Sequence, residues 1–435
     1  MEPVYISIVL LAALGALLVA GVWIALSLLG VGWIAMVFFT GAPAGKLMAT
    51  TVWGSSASWA LTALPLFIWM GEILFRSRIS EDMFKGLAPW MAPLPGRLMH
   101  CNVFGCGIFA AISGSSAATA ATIGKITIPE LRKRGYDERM SIGSLAGAGT
   151  LGLLIPPSII MIVYGVAADV SIARLFVAGV LPGVLLMLLF SGYIAAWALL
   201  NPGRTPPRDI VATFGEKLYA SRHLLPTLAL IAAVIGSIYS GIATPTEAAV
   251  LGVLGSLVLS FATGSLDWNT FQGSVMGAMK TSCMIAFILT GAAFLTVAMG
   301  FTGIPRALAG WIGRQGFTSG HLIVVLTLLY IALGCFLDGI SMVVLTSAVI
   351  LPSVRAAGID LLWFGIFIVL VVEMAQITPP VGFNLFVLQG LTGKNMFYIA
   401  RASLPFFFLM VVAVLIIWAF PQIVTVLPGR MFRLG

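Results

Sequence analysis

The chain has 435 residues, of which 60% are hydrophobic and 9% carry a charge. A soluble domain has about 25% charged residues, so most of this chain cannot face water, and we predict a polytopic membrane protein. The net charge of +8 lies in short loops, which fits the positive-inside rule better than a nucleic-acid surface. The four cysteines form no CxxC pair and the three histidines no HExxH motif, so redox and metalloprotease chemistry have no support. We expect neither an enzyme nor an organic cofactor.

Apolar runs separated by charged or Gly- and Pro-containing stretches predict the membrane helices in chain order. They lie at about 5–28, 31–48, 57–75, 141–168 and 174–199 in the first half, and at about 222–241, 246–264, 276–300, 361–390 and 403–427 in the second. The N-terminal run begins with an acid and is longer than the apolar region of a signal peptide, so we predict a first membrane helix there. Residues 76–97 mix apolar and charged side chains, which predicts an amphipathic helix in the membrane interface.

Two further apolar segments are interrupted in the middle. Segment 98–128 is broken by Ser-Gly-Ser-Ser at 113–116, and segment 319–352 by Leu-Asp-Gly at 337–339. The sequence therefore predicts about ten crossings and two broken segments.

Basic loops predict the orientation of the chain. The sequence RKRGYDER at 132–139 is the densest basic cluster, and a second basic loop lies two predicted crossings further on. An even number of crossings places both loops on one side, which the positive-inside rule predicts to be the cytoplasm. We expect a multi-pass protein of the bacterial inner membrane.

A sequence repeat relates the two halves at one offset of 223 residues (352 − 129). At this offset identical residues pair as follows: Pro129 with Pro352, Arg132 with Arg355, Gly135 with Gly358, Asp137 with Asp360, and Pro156-Pro157 with Pro379-Pro380. Five predicted crossings, an odd number, separate loop 132–139 from loop 353–360, so the two copies have opposite orientations. Inverted repeats with interrupted helices in matching positions are typical of secondary transporters, whose substrate and ion sites lie near the bilayer midplane.

The breaks in the helices predict where ions and substrate bind. Pro and Gly leave backbone carbonyls without intrahelical partners, and such groups must line a cavity or hold an ion when no water is present. A hard cation such as sodium suits carbonyl and hydroxyl oxygens. Hydroxyls next to the breaks come from Thr150 and Thr378, while Ser158 and Asn384 are suited to contact a substrate. The alternative for each single proline is a simple kink.

The tips of the two broken segments are the other candidate sites. Residues 113–119 place small polar side chains in the middle of an apolar hairpin, where they either hold an ion or serve helix packing. The second tip contains Asp338 and Gly339, and a charge in mid-span is by default a functional candidate. Glu373 and Glu247 are each either functional or structural acids. Glu247 follows Pro245, where it suits the first turn of a helix.

At these residues the chain resembles the large membrane subunit of the tripartite ATP-independent periplasmic (TRAP) transporters. The resembling motifs are GIATPTEAA, SGSSAATAA, LLIPPS, LDG followed by Met342, and ITPPVGFNLF, which are spread over both halves. The resemblance implies an all-α membrane protein of the elevator type, similar to the ion transporter superfamily, with two re-entrant hairpins and two interrupted helices. It also implies sodium-driven import of a small organic anion, a periplasmic substrate-binding protein, and a small four-helix membrane subunit. Because the chain begins at its first helix, we expect that subunit to be a separate polypeptide.

By the same resemblance, specific residues are assigned to ions and substrate. One sodium site is formed by Ser113, Gly114 and Ser116 with carbonyls near Gly149, Thr150 and Pro156. The second is framed by Asp338, Gly339, Thr378 and Pro379. Substrate contacts are assigned to Ser115, Thr119, Ser158 and Asn384.

The resemblance divides the chain into five parts. These are scaffold helices and an interfacial arm (1–97), the first hairpin and broken helix (98–168), a second set of scaffold helices and an arm (169–318), the second hairpin and broken helix (319–390), and a C-terminal helix (391–435). A stand-alone sodium–dicarboxylate carrier is the closest alternative, but such carriers show Ser-Asn-Thr at the hairpin tips, where this chain has Ser-Gly-Ser-Ser. An ion channel is a more distant one. The substrate stays open among C4-dicarboxylates, other carboxylates and sugar acids.

Overall fold

The computed structural model describes residues 3–207, 210, 212–314, 319–379 and 382–431, and within these ranges it contains helices and no strand. The α-helices of the first half are α1 (Pro3–Val19), α2 (Ile24–Phe39), α3 (Ala44–Ser56), α4 (Ala63–Phe75), α5 (Ile79–Met91), α6 (His100–Ser113), α7 (Ser116–Lys133), α8 (Glu138–Leu154), α9 (Ile159–Ala168) and α10 (Ile172–Leu200). Those of the second half are α11 (Phe214–Ser221), α12 (Leu225–Tyr239), α13 (Pro245–Ala262), α14 (Trp268–Thr302), α15 (Ile304–Arg314), α16 (Ser319–Gly334), α17 (Gly339–Ala356), α18 (Leu361–Gln376), α19 (Phe383–Thr392), α20 (Met396–Ala419) and α21 (Gln422–Met431).

Several of the described helices are apolar enough to lie in a membrane. Five of them can cross a bilayer by length and composition, and up to eight spans result if each bent helix pair counts as one. The bent pairs are α3 with α4, α8 with α9, and α11 with α12. Five further apolar helices have 10–17 residues. The chain is therefore a multi-pass membrane protein, and the total of about ten crossings stays a prediction.

The predicted bounds of the first helices are wrong. The chain turns at Gly21, whose φ of +77° lies in the left-handed region that suits glycine. Helix α1 therefore ends at Val19 instead of continuing to residue 28, and α2 ends at Phe39 instead of residue 48. The turns themselves are apolar, so hydropathy alone does not mark them.

The fixed offset of 223 residues extends over the helices of the fold. It carries the bounds of α7 onto those of α17 (339 − 116 and 356 − 133), and it carries α2, α5, α8 and α9 onto α13, α15, α18 and α19 within two residues. The helix ends match as well. Asp137 caps α8 by accepting from the amide of Met140 (2.8 Å), and Asp360 caps α18 by accepting from the amide of Trp363 (2.9 Å).

The two halves are related by a pseudo-two-fold exchange of contacts. Helix α9 packs against α17 while α19 packs against α7, and α2 packs against α14 while α13 packs against α4. Reciprocal contacts of this kind are what a two-fold axis produces. Each interrupted helix therefore places its second part against the hairpin of the other half.

Equivalent segments of the halves run in opposite directions. The offset carries α3 and α4 onto the long helix α14, and the two packed segments are antiparallel. The Ser56 hydroxyl lies 3.4 Å from that of Thr290, whereas further along the chain the Trp69 indole Nε1 donates to the Ser274 hydroxyl (3.2 Å). The structure thus confirms the predicted inverted repeat.

Candidate functional site

The tip of the first hairpin lies against the break of the first interrupted helix. Helix α6 ends at Ser113, and Gly114 turns the chain with φ +59°. The Gly114 carbonyl accepts a hydrogen bond from the amide of Ile159 (3.4 Å), and a Cβ added to Gly114 would lie 2.9 Å from the Pro157 carbonyl oxygen. Only glycine fits this turn, since both its φ angle and the space around it exclude a side chain.

Small oxygen-bearing groups converge at this tip. The hydroxyls of Ser113 and Thr119 lie 2.7 Å apart, and the Thr119 hydroxyl donates to the Ser115 carbonyl (2.8 Å). Ser115 caps α7 by accepting from the amide of Ala118 (3.4 Å). Ser113 and Thr119 are both buried. The cluster offers hydroxyl and carbonyl oxygens, which are the ligands that a hard cation prefers.

Glycines bring α8 against the same tip. A Cβ on Gly152 would lie 2.5 Å from the Ser115 carbonyl oxygen and 2.7 Å from the Thr119 hydroxyl. A Cβ on Gly149 would meet the Ala120 side chain at 2.7 Å. Gly149, predicted at a sodium site, therefore packs against α7, one turn away from the tip. Gly152 was missed by sequence reasoning, although the spacing of small residues along 147–152 is the signal of a close helix approach.

Asn384 joins the second half of the chain to the first tip. Its side chain is fully buried, and its Nδ2 donates to the hydroxyl of Ser116. Its Oδ1 has no hydrogen-bond partner among the described residues. The sequence associated Asn384 with the second break and Ser116 with the first tip, and the structure brings the two together because α19 packs against α7.

The second hairpin tip repeats this arrangement with other residues. Asp338 stands at the position of Ser115 (338 − 115 = 223) and caps α17 by accepting from the amides of Ile340 (3.1 Å) and Ser341 (3.3 Å). The Cys335 thiol donates to the Pro379 carbonyl (3.4 Å), so this tip also reaches its break. Pro380 lies outside the described residues.

Gln376 belongs to the second tip, although sequence reasoning did not single it out. A Cβ on Gly339 would lie 3.1 Å from its Nε2 and 2.6 Å from a Val372 methyl group. A glutamine beside a Pro-interrupted helix end is a signal that could have found it, since a buried amide needs partners.

Three predicted hydroxyls are bonded to their own helices. The Thr150 hydroxyl donates to the Gly147 carbonyl (2.7 Å) and lies 3.7 Å from the Met410 sulfur, so it faces α20. The Thr378 hydroxyl donates to the Met374 carbonyl (2.6 Å). Ser158 caps α9 through the amide of Met161 (3.4 Å). Pro156 and Pro157 lack the amides that would bond to the carbonyls of residues 152 and 153, so those oxygens lose their intrahelical donors.

Glu247 and Glu373, which the sequence analysis left as either functional or structural acids, have different environments. Glu247 forms a capping box with Thr244, whose amide and hydroxyl both donate to its carboxylate (2.8 Å each), which favours the structural interpretation. Glu373 is fully buried in α18 beside the backbone of Leu153 and Leu154. Neither of its oxygens has a hydrogen bond of good geometry among the described residues.

Comparison with known proteins gives a consistent result. The family model described as "Tripartite ATP-independent periplasmic transporter, DctM component" matches residues 11–423. The chain is 31% identical over 385 residues to the C4-dicarboxylate TRAP transporter large permease protein of Pseudomonas aeruginosa, covering 88% of this chain and 90% of that protein. It is 32% identical over 410 residues to the isethionate TRAP transporter permease protein DctMQ of Oleidesulfovibrio alaskensis, covering 93% of this chain and 64% of that protein. The crystal structure of the Alcanivorax borkumensis YdaH transporter shares the fold, with a TM-score of 0.62, 12% identity and 90% coverage of both chains.

Proposed function

The chain belongs to the DctM-component family, the large permease proteins of tripartite ATP-independent periplasmic transporters, and from this membership we propose that it imports small organic anions by a sodium-driven elevator movement. The observation that carries the proposal is the crossed arrangement of the two halves. Each hairpin tip meets a broken helix, and each broken helix continues against the opposite hairpin. Such a centre holds ions and substrate between repeats.

Sodium coupling is supported by the oxygen groups at both tips. The first site consists of Ser113, Gly114 and Ser116 with carbonyls of the α8–α9 break near Pro156, and with contributions from Gly149 and Thr150 by carry-over from the family. The second consists of Asp338, Gly339, Thr378 and Pro379. Asp338 supplies the one full negative charge of the two sites, so the second site attracts a cation more strongly.

The proposal that the substrate is a small anion is supported by the relatives and by the polar groups beside the tips. Two of the relatives carry the names of C4-dicarboxylate and isethionate transporters, and both of these substrates are small anions. Ser115, Thr119, Ser158 and Asn384 are the proposed substrate contacts. The Oδ1 of Asn384, which has no partner among the residues that the structure describes, is the polar atom in this set with the clearest need of one.

Elevator movement is supported by an asymmetry between two otherwise equivalent interfaces. Helix α4 packs against α6 and α9. Helix α14, which contains the counterpart of α4, packs against α2, α3 and α4, and its main contact with the second hairpin is with α17. The two-fold counterpart of the α4–α6 contact would join α14 to α16. Because the two halves share one sequence repeat, each half can adopt the arrangement that the other half has here. The state in which the two arrangements are exchanged is therefore a natural second state of the protein.

The exchange between these two arrangements gives an estimate of how far a hairpin tip would move. A Cβ on Gly71 would lie 3.2 Å from the Ile112 carbonyl oxygen, so the first tip now stands beside Gly71. The second tip lines a cavity together with Cys283 and Phe287, whose counterparts in the first half are residues 60 and 64 (283 − 223 and 287 − 223). In the exchanged state the first tip would stand beside these residues. The difference of 7–11 residues at 1.5 Å each is roughly 10–16 Å.

Cysteine pairs test this movement. In a background without reactive native cysteines, Ile112→Cys combined with Gly71→Cys should cross-link with mercuric ion in the present state. Ile112→Cys combined with Ala60→Cys should cross-link in the exchanged state, and sodium should change the ratio of the two products. A 60–112 pair that never reacts under any sodium condition, beside a reactive 71–112 pair, excludes the elevator.

The tripartite name supports two further partners in the bacterial inner membrane and periplasm. We propose a small four-helix membrane subunit and a periplasmic binding protein that delivers the substrate. Proteoliposomes containing this chain, the small subunit and the cognate binding protein should accumulate labelled succinate or isethionate only with an inward sodium gradient. Omission of either partner should abolish uptake. Strong uptake by this chain alone would instead identify a stand-alone carrier, and uptake indifferent to sodium would rule out sodium coupling.

A further inference from the structure

A cavity of about 920 Å³ lies between the second hairpin tip and the helices α1, α2 and α14. Its volume is within the usual range of small-molecule sites. Residues from three places line it: Trp23, Lys280, Cys283, Phe287, Phe336 and Leu337. The cavity therefore has a largely apolar wall with one basic side chain.

Lys280 is an exposed charge on an otherwise apolar helix. It is the one charged residue of α14, a 35-residue apolar helix, and it lies twelve residues from the start of that helix. A charge inside a membrane span is costly, and such residues nearly always face an interior cavity and a partner of opposite charge. Among the described residues Lys280 forms no ion pair. None of the described residues is therefore its partner.

The chemistry of the cavity favours an anion as that partner. Lys280 brings a positive charge, and Leu337 at the cavity wall precedes Asp338, the proposed sodium ligand of the same tip. An anion held by Lys280 would lie near the second sodium site, where opposite charges attract each other. We propose that Lys280 binds the acid group of the transported anion in this cavity. This inference rests on the proposed function for the identity of the anion.

The native residue Cys283 provides a local reporter. It is exposed, it lies one helical turn from Lys280, and it lines the same cavity. Cys101 and Cys106 are buried, and Cys335→Ser removes the remaining accessible thiol while keeping a hydrogen-bond donor for Pro379. In this background the rates at which anionic and cationic thiosulfonates modify Cys283 measure the electrostatic potential of the cavity.

The first experiment compares Lys280→Gln and Lys280→Arg in the full chain in proteoliposomes. Lys280→Gln should lower the ratio of anionic to cationic reaction rates about tenfold, the effect of one charge at short range, whereas Lys280→Arg should keep it. Lys46→Gln removes an exposed lysine of α3 that does not line the cavity and serves as the control with an unchanged ratio. An equal ratio in the parent and Lys280→Gln, or no reaction of Cys283 with either reagent, would overturn the proposal.

The second experiment measures transport with the partner proteins present. Lys280→Gln should raise the KM for succinate or isethionate uptake about tenfold, and either anion should slow Cys283 modification in the parent but not in the variant. Loss of small-subunit binding in Lys280→Gln, with anion protection unchanged, would assign the lysine to an acid of that subunit and refute the proposal. An unchanged KM would refute it too, while leaving sodium-driven uptake intact. Absence of uptake in the parent would count against the proposed function, and protection of Cys283 by the anion would still decide the role of Lys280.

Discussion

At the scale of single residues, the centre of the molecule is built from small residues and from residues that take part in two hydrogen bonds at once. Ser115 caps α7 with its hydroxyl and accepts from Thr119 with its carbonyl. Asn384 donates its side-chain amide to Ser116, and its Oδ1 has no partner within the described part of the chain. The proposed sodium ion would meet groups that the protein has already ordered, so little conformational entropy would be lost on binding.

Ser116→Ala should weaken the sodium dependence of uptake. The change removes one proposed oxygen ligand and also leaves the Nδ2 of Asn384 without its acceptor. We expect the sodium concentration for half-maximal uptake to rise roughly tenfold, which corresponds to about 1.4 kcal/mol. Ser256→Ala is the matched control, because that buried serine donates only to its own helix, at the Val253 carbonyl (2.8 Å). An unchanged sodium titration in Ser116→Ala removes this residue from the site.

Gly152→Ala should disturb the contact between α8 and the first tip. The added methyl group would lie 2.5 Å from the Ser115 carbonyl oxygen, so the two helices must separate, at a cost of about 1–3 kcal/mol. We expect a lower melting temperature of the purified protein and lower uptake. Gly192→Ala in α10 has open space around it and should leave both quantities unchanged or raise the melting temperature slightly. Equal melting temperatures and equal uptake of the two variants would contradict the close approach of α8 to the first tip.

At the scale of helices, specific side chains determine where a helix begins or ends, whereas its apolar middle is determined less strictly. Asp137 and Asp360 cap equivalent helices, and Ser115 and Asp338 cap the two helices that follow the tips. The interrupted helices could be predicted because Pro-Pro removes two amides at once. The bend between α3 and α4 could not, because its short 3₁₀ turn at Trp59–Thr62 contains no proline and continues an apolar run.

Glu247→Gln should preserve the start of α13, whereas Glu247→Ala should weaken it. The carboxylate accepts from the amide and the hydroxyl of Thr244, and a glutamine oxygen can accept the same bonds. Loss of this half of the capping box should destabilise the first turn of the helix. Thermal unfolding should therefore show a lower melting temperature for Glu247→Ala only. A change of sodium or substrate affinity in Glu247→Gln, with an unchanged melting temperature, would instead give this acid a direct transport role.

At the scale of the whole molecule, the repeat could be predicted but its three-dimensional arrangement could not. A constant offset shows that two segments have the same local structure, and it contains no information about which copy each segment packs against. The contacts of α9 with α17 and of α19 with α7 depend on shape across the interface. For this reason the sequence divided the candidate residues between two breaks, whereas the structure brings Asn384 to Ser116. Gly152 and Gln376 escaped notice for the same reason, since their importance lies in a partner from another segment.

The opposite orientation of the repeats has a direct test in the membrane. Lys133 and Ala356 are equivalent residues (356 − 133 = 223), they are the last residues of α7 and α17, and both are exposed. Because α4 and its counterpart in α14 run antiparallel, these two positions should face opposite sides of the bilayer. In a background in which Cys283 and Cys335 are replaced by serine, an impermeant maleimide should label Lys133→Cys only from the cytoplasmic side and Ala356→Cys only from the periplasmic side. Labelling of both from one side would contradict the inverted arrangement in the membrane, and the background without an introduced cysteine should remain unlabelled from either side.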